Sequence, residues 1–94
     1  MRADTIGDIV FAMGRGAKIF KAAVQNPRGV SFSDLCRLAE AAGFELARAR
    51  GSHHLYRRAG VVEIVNLQAD GKSAKEYQVK QLLELIAKYQ LELK

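Results

Sequence analysis

The segment from Arg48 to Arg58 brings together the side chains that could hold a phosphate and act on it. It reads RARGSHHLYRR, with four arginines around a Gly-Ser bend and two adjacent histidines. Arginine donates charge-assisted hydrogen bonds to phosphate oxygens. Imidazole, with an unperturbed pKa of about 6.5, can take up or release a proton near neutral pH. The segment therefore predicts either proton transfer at a captured phosphate or an exposed basic strand without chemistry of its own.

Alternation along a strand separates the two histidines. On a regular strand, His53 and Arg57 lie on one face, and His54 lies on the other. The imidazoles should therefore point apart, so we expect only one of them to act at a given phosphate. The residues that could contact this phosphate are Arg48, Arg50, Gly51, Ser52, Arg57, Arg58 and Lys72. The pair Arg57-Arg58 is equally compatible with a charged hairpin edge that discourages pairing with other chains.

The composition fits one small folded domain with a basic surface. The chain has 94 residues, of which 49% are hydrophobic and 27% charged, so it can build a core and is not a disordered tail. A formal net charge of +5 favours a polyanion or an acidic protein as partner. The single cysteine, Cys36, excludes an internal disulfide, and two histidines on opposite faces cannot complete a metal site. No apolar run is long enough for a membrane span or a signal peptide, so we expect a cytoplasmic protein.

Hydrophobic periodicity predicts helices at both ends of the chain. Apolar residues recur at helical spacing over 5–25, interrupted by glycine, which predicts one kinked helix or two short ones. Ser31 is placed to cap a second helix, and Gly43 should end it. A final amphipathic helix carries apolar residues from Val79 to Leu93.

Between these helices the hydrophobic period changes to two, which is typical of strands. The Gly51-Ser52 turn is expected to separate a first strand from a second strand over 53–58. Ala59-Gly60 predicts a tight connection to a third strand over 61–65, followed by a polar loop over 68–76.

This order of elements predicts an α+β fold with the layout α-β-β-β-α. The three strands should form an antiparallel sheet with both helices on one face and the other face in solvent. We expect a helical extension over residues 1–27 and a core domain over residues 28–94.

Several local sequences, taken in this order, resemble the HicA family of type II toxin–antitoxin modules. The resemblance covers about residues 28 to 90. It rests on Ala42-Gly43-Phe44 at the helix end, on Arg50-Gly51-Ser52-His53-His54 followed by Tyr56, and on Tyr77-Gln78-Val79-Lys80-Gln81-Leu82 in the last helix. HicA proteins are small ribonucleases with a double-stranded-RNA-binding-like (dsRBD-like) fold, so the resemblance implies that fold here.

The resemblance also implies an activity and a partner. It implies cleavage of messenger RNA (mRNA) without a metal or cofactor, by an active-site histidine, and inhibition by a HicB-like antitoxin. It selects His53, next to the bend, as the catalytic histidine, with His54 as the alternate. Many family members carry a Pro-His segment after the third strand, where this chain has Asn66-Leu67-Gln68. A second histidine is therefore lacking at that position.

Two other functions are compatible with the same residues. A dsRBD-like module could hold RNA through its basic face without cutting it, and the missing second histidine favours that alternative. The basic face could also serve mainly to dock an acidic antitoxin.

Overall fold

The structure, a computed structural model, describes residues 14–94. The elements in this range are α1 (Arg15–Gln25), a 3-10 turn (Pro27–Gly29), α2 (Phe32–Ala41), β1 (Glu45–Arg50), β2 (His53–Arg57), β3 (Val65–Asp70), β4 (Ser73–Ala74) and α3 (Glu76–Lys88). The strands form one antiparallel sheet in the order β1-β2-β3-β4. The predicted α+β, dsRBD-like layout is confirmed, and the sheet has a short fourth strand in addition to the predicted three.

Helix α1 forms the second half of the predicted N-terminal helical region and packs on α2. It ends at Gln25, and Asn26 and Pro27 interrupt the helix there. Gly16 allows the close approach of the two helices, because a Cβ atom at this position would overlap the side chain of Ala41. The predicted helical residues before Gly14 lie outside the described part of the chain.

Helix α2 starts and stops at the residues that the sequence indicated. The Ser31 hydroxyl accepts a hydrogen bond of 3.1 Å from the backbone N–H of Asp34, which satisfies one of the free donors of the first turn. Gly43 follows the helix with φ +94°, the left-handed conformation that glycine adopts without steric cost.

The core lies between the two helices α2 and α3 and one face of the sheet. Its largest fully buried side chains are Leu35 and Leu38 from α2, Tyr56 from β2, Val65 and Leu67 from β3, and Val79 and Leu82 from α3. Strand residues on the opposite face, such as His53, Arg57 and Asn66, are exposed. The sheet therefore has one covered face and one open face, as its antiparallel pairing allows.

The third strand was predicted in the wrong place. Residues 61–64 belong to a loop, and β3 is Val65–Asp70, whose first four residues pair with β2 from Tyr56 back to His53. Val62 is 89% exposed, so this β-branched residue does not contribute to a strand. The Glu63 carboxylate instead accepts hydrogen bonds of 2.8 Å from Lys88 Nζ and 2.6 Å from the Tyr89 hydroxyl. These contacts hold the loop against the end of α3, and the predicted tight connection at Ala59-Gly60 is one part of a longer loop.

The last helix is shorter than its apolar spacing predicted. It ends at Lys88, and Gln90 adopts φ 53°, which turns the chain back. The backbone N–H of Lys94 then donates a 2.9 Å hydrogen bond to the carbonyl of Ala41. Leu93 packs against the core from this C-terminal segment and not from the helix. In residues 14–94 no helix has the length and apolar character needed to cross a bilayer.

Candidate active site on the open sheet face

Two glycine turns lie at the same end of the sheet. Gly51-Ser52 joins β1 to β2, with φ +56° at Gly51, and Gly71-Lys72 joins β3 to β4, with φ +62° at Gly71. A two-residue hairpin loop with positive φ at its first position needs glycine there. The backbone N–H of Ala69 donates a 3.0 Å hydrogen bond to the carbonyl of Ser52, which connects the first turn to β3. The two turns therefore bring Gly51, Ser52 and Lys72 to one end of the sheet, as a common role in phosphate binding requires.

A row of three residues crosses the open face next to these turns. Arg50 on β1 is the antiparallel partner of His53 on β2, and His53 is in turn the partner of Gln68 on β3. Side chains of directly opposed residues share a face, with Cβ atoms about 5 Å apart. The His53 ring is exposed and has no hydrogen bond or ion pair with any residue of the described chain. We call this set the Arg50–His53–Gln68 row.

His54 occupies the covered face. Its ring meets the ring of Phe32, the first residue of α2, edge-on with centroids 5.1 Å apart. Its Nδ1 atom is buried and has no hydrogen-bond partner. The two imidazoles therefore lie on opposite faces, as strand alternation predicted, and only the His53 ring is presented to a ligand on the open face.

Three arginines extend the basic surface along the open face. Arg48 and Arg50 lie on β1. Arg57 lies at the far end of β2, about 13 Å from His53 at the usual rise of a strand. None of the three has an ion-pair partner among the described residues. A groove of about 360 Å³ lies between Arg48 and Arg57, with Leu55 and Ile64 among its lining residues.

Some cations elsewhere on the described molecule are held in ion pairs. Four of them form ion pairs with carboxylates: Arg28, Arg37, Lys80 and Lys88. The open face carries acidic residues at its margins, with Glu45 opposite Arg57 and Asp70 beside the second turn. The central part of the open face thus carries Arg48, Arg50 and Arg57 without ion-pair partners among the described residues, and their charge would attract a polyanion.

Arg58 is separated from the other predicted contact residues. Its Nε donates a 2.7 Å hydrogen bond to the carbonyl of Ala42, and its Nη1 donates one of 2.7 Å to the carbonyl of Ala59. The guanidinium lies so close to Gly43 that a Cβ atom there would contact Arg58 Nε. Arg58 thus ties the loop after β2 to the end of α2, and we do not include it in the candidate site.

The structure reveals a supporting residue that the sequence reasoning missed. Gln78 in α3 is 3% exposed, and its side-chain Oε1 accepts a 2.7 Å hydrogen bond from the backbone N–H of Gln68. Strand β4 is too short to reach this point of β3, so the side chain supplies the acceptor that a longer strand would give. The sequence signal that could have indicated this supporting role is the presence of a glutamine directly before the inward-facing Val79. Gln78 fixes the strand that carries Gln68 across from His53.

A sequence model of the HicA toxin of bacterial toxin–antitoxin systems matches residues 32–87. The chain belongs to the HicA toxin family. No curated protein and no solved structure matches it. The family predicted from the Gly-Ser-His-His segment and its flanking elements is thereby confirmed.

HicA membership places the candidate site inside the matched range. The Arg50–His53–Gln68 row, both glycine turns and Gln78 all lie within residues 32–87, whereas α1 lies outside it. HicA proteins are toxins of bacterial toxin–antitoxin systems, so this chain is a toxin of that kind. Among residues 14–94, no three His, Cys, Asp or Glu side chains come together to hold a metal ion.

Proposed function

We propose that this HicA toxin is an endoribonuclease that cleaves mRNA without a metal or cofactor, with His53 as the catalytic histidine. The observation that carries the proposal is the exposed and unpaired His53 ring, which lies between Arg50 and Gln68 on the open face. An imidazole in this position has room for a ribose and is beside a cation that can hold the neighbouring phosphate.

The proposed reaction is an internal transfer at phosphorus. His53 accepts the proton of the ribose 2′-hydroxyl, and the 2′-oxygen forms a bond to phosphorus while the bond from phosphorus to the 5′-oxygen breaks. The leaving 5′-oxygen takes a proton from the imidazolium or from water. The products are a 2′,3′-cyclic phosphate and a 5′-hydroxyl end. A positioned general base contributes roughly 10²–10⁴ in rate.

The remaining predicted contacts have binding roles in this proposal. Arg50 and Lys72 neutralise the phosphate at the turns, while the Gly51 backbone and the Ser52 hydroxyl lie beside it. Arg48 and Arg57 hold the strand along the groove on the open face. The RNA therefore lies on the sheet face, away from both core helices.

The partner and the location follow from the same proposal. We propose that a HicB-like antitoxin binds this toxin and holds the cleavage activity in check, and that both act in the cytoplasm on mRNA. The basic surface, with a formal net charge of +5, favours an acidic partner.

Substitution of His53 tests the activity. We expect His53→Ala to abolish RNA cleavage and growth arrest while leaving the fold and the RNA affinity nearly unchanged, because the exposed ring makes no hydrogen bond, ion pair or ring contact in the described chain. The measurement is induction of each form in bacteria with mapping of transcript ends, followed by cleavage of an RNA transcript by purified protein in EDTA. Equal cleavage by wild type and His53→Ala would contradict the assignment of His53.

One observation favours a second candidate function. Gln68 stands across from His53, so a second imidazole is not present at that position of the open face. A module that binds RNA without cutting it would need no second proton-transferring group. In that case His53→Ala changes nothing, whereas replacing Arg48 and Arg57 weakens RNA binding.

A further inference from the structure

Gln68 combines an anchored backbone with an unengaged side chain. Its backbone N–H donates a 2.7 Å hydrogen bond to the side chain of Gln78, a residue that is 3% exposed. Its neighbour Leu67 is completely buried, so alternation directs the Gln68 side chain to the open face. The side-chain amide has no hydrogen-bond partner among residues 14–94. A polar group presented from a fixed strand without a protein partner is available to a ligand.

The position of Gln68 is set by the same register that places His53. The two residues are direct antiparallel partners, and their Cβ atoms are therefore about 5 Å apart. Arg50 lies at the same distance on the other side of His53. A phosphate whose ribose reaches His53 is consequently flanked by a cationic donor on β1 and a neutral amide donor on β3.

We propose that Gln68 is a catalytic residue whose side-chain amide donates a hydrogen bond to a non-bridging oxygen of the phosphate being cleaved. This inference rests on the proposed ribonuclease function. The amide does not transfer a proton. It stabilises the negative charge that develops on the equatorial oxygens as the 2′-oxygen attacks, which is the role of a preorganised donor. His53 is then the sole proton-transferring side chain of the row.

This arrangement gives a specific dependence of the cleavage rate on pH. The charged group directly opposite His53 is Arg50 on β1; Asp70, two residues after Gln68 on β3, and Lys72 in the second turn are the other charged groups at this end of the sheet. Phe32 of α2 contacts the ring of His54. Carboxylates and cationic side chains ordinarily titrate outside the range in which histidine does. We therefore expect kcat to rise through one ionisation and reach a plateau, with no descending limb near neutral pH.

Replacement of the amide tests the proposal on the full-length toxin. We expect Gln68→Met to lower kcat by about 100-fold with KM changed by less than about threefold, because the lost bond acts on the transition state. The fold should be retained, since the bond to Gln78 uses the backbone of Gln68. Asn66→Leu, an exposed amide two residues away on the same strand face, is the matched control and should keep the wild-type kcat. A Gln68→Met enzyme with wild-type kcat, or an equal loss in both variants, would overturn the proposal.

A second variant tests the pH dependence of kcat, which would not change if Gln68 were only structural. Gln68→His places an imidazole across from His53, and we expect it to convert the plateau into a bell-shaped profile and to exceed Gln68→Met in kcat by about tenfold or more. The substrate is a short RNA oligonucleotide that spans a mapped cleavage position. A Gln68→His enzyme as slow as Gln68→Met, with an unchanged profile, would show that this side chain does not reach the phosphate.

The ribonuclease function and the role of Gln68 are refuted by different results. If His53→Ala is inactive and Gln68→Met is fully active, the ribonuclease function stands and the role of Gln68 is refuted. If the wild-type toxin leaves the oligonucleotide intact after removal of the HicB-like antitoxin, the ribonuclease function is refuted, and the role of Gln68 is refuted with it.

Discussion

At the scale of single residues, two adjacent histidines have different environments because a strand alternates its side chains. His53 is exposed beside a turn, and His54 lies against Phe32 with a buried Nδ1 that has no partner. The residue types alone did not distinguish them. The sheet did, because one of its faces is covered by α2 and the other is open.

The environment of His54 leads to a prediction about stability. We expect His54→Phe to leave RNA cleavage intact and to keep or raise the free energy of unfolding by about 1 kcal/mol, because it removes a buried polar atom without a partner and keeps the ring contact. Urea denaturation and a cleavage assay measure both effects. His53→Phe is the matched control, for which we expect lost cleavage with little change in stability. Loss of cleavage in His54→Phe would instead make His54 the catalytic residue.

At the scale of elements, the loop between β2 and β3 decides the register of the sheet. It is held at one end by the two carbonyl contacts of Arg58 and at the other by the contacts of Glu63 with Lys88 and Tyr89. These contacts hold residues 61–64 out of the sheet and let β3 begin at Val65. As a result Gln68 is the residue that meets His53. The β-branched run Val61-Val62 gave no sign of this, because the contacts join residues far apart in sequence.

The Glu63 contact predicts how stability changes in acid. Hydrogen bonds from Lys88 and then from Tyr89 lower the pKa of Glu63 to about 2. A carboxylate whose pKa is lower in the folded state contributes stability above its unfolded pKa and loses it as the pH falls towards the folded value. We therefore expect the thermal midpoint of the wild type to fall between about pH 5 and pH 2 more steeply than that of Glu63→Gln.

Thermal unfolding at a series of pH values measures this difference. Glu84→Gln is a suitable control, because Glu84 is exposed on the same helix as Lys88 and forms no ion pair in the described chain. Identical pH dependence in wild type and Glu63→Gln would mean that the contact does not hold the loop in solution.

At the scale of the whole molecule, charge is distributed unevenly over the surface. Ion pairs with carboxylates engage four cations away from the open face, namely Arg28, Arg37, Lys80 and Lys88. Arg48, Arg50 and Arg57 on the open face are unpaired within the described residues. RNA bound there would release counterions in proportion to the phosphates it places against these arginines.

The charge distribution predicts the salt dependence of RNA binding. Binding is measured with toxin that carries His53→Ala, so that the RNA is not cleaved. The logarithm of the RNA association constant should fall linearly with the logarithm of the salt concentration. Replacing the three open-face arginines with alanine in this background should reduce the slope by about 0.7 for each lost phosphate contact on single-stranded RNA. The matched control replaces Arg28, Arg37 and Lys80 with alanine, which removes the same charge from ion-paired positions. Fluorescence anisotropy at several salt concentrations measures both slopes. Equal slopes in the two triple variants would place the RNA elsewhere.

The sequence by itself determined the local structure and the family. The Ser31 cap, the Gly43 stop, the Gly51-Ser52 turn and the separation of the two histidines all follow from short-range geometry, since each depends on residues within a few positions of one another. Only the tertiary structure decided where β3 starts and where the chain reverses after Lys88. It also decided that Gln78 accepts a hydrogen bond from Gln68 and that Gln68 pairs with His53. These features depend on contacts between distant segments, for which local periodicity carries no information. The residues proposed to react could be identified from the sequence, but the neighbours that complete the candidate site appear only when the sheet is assembled.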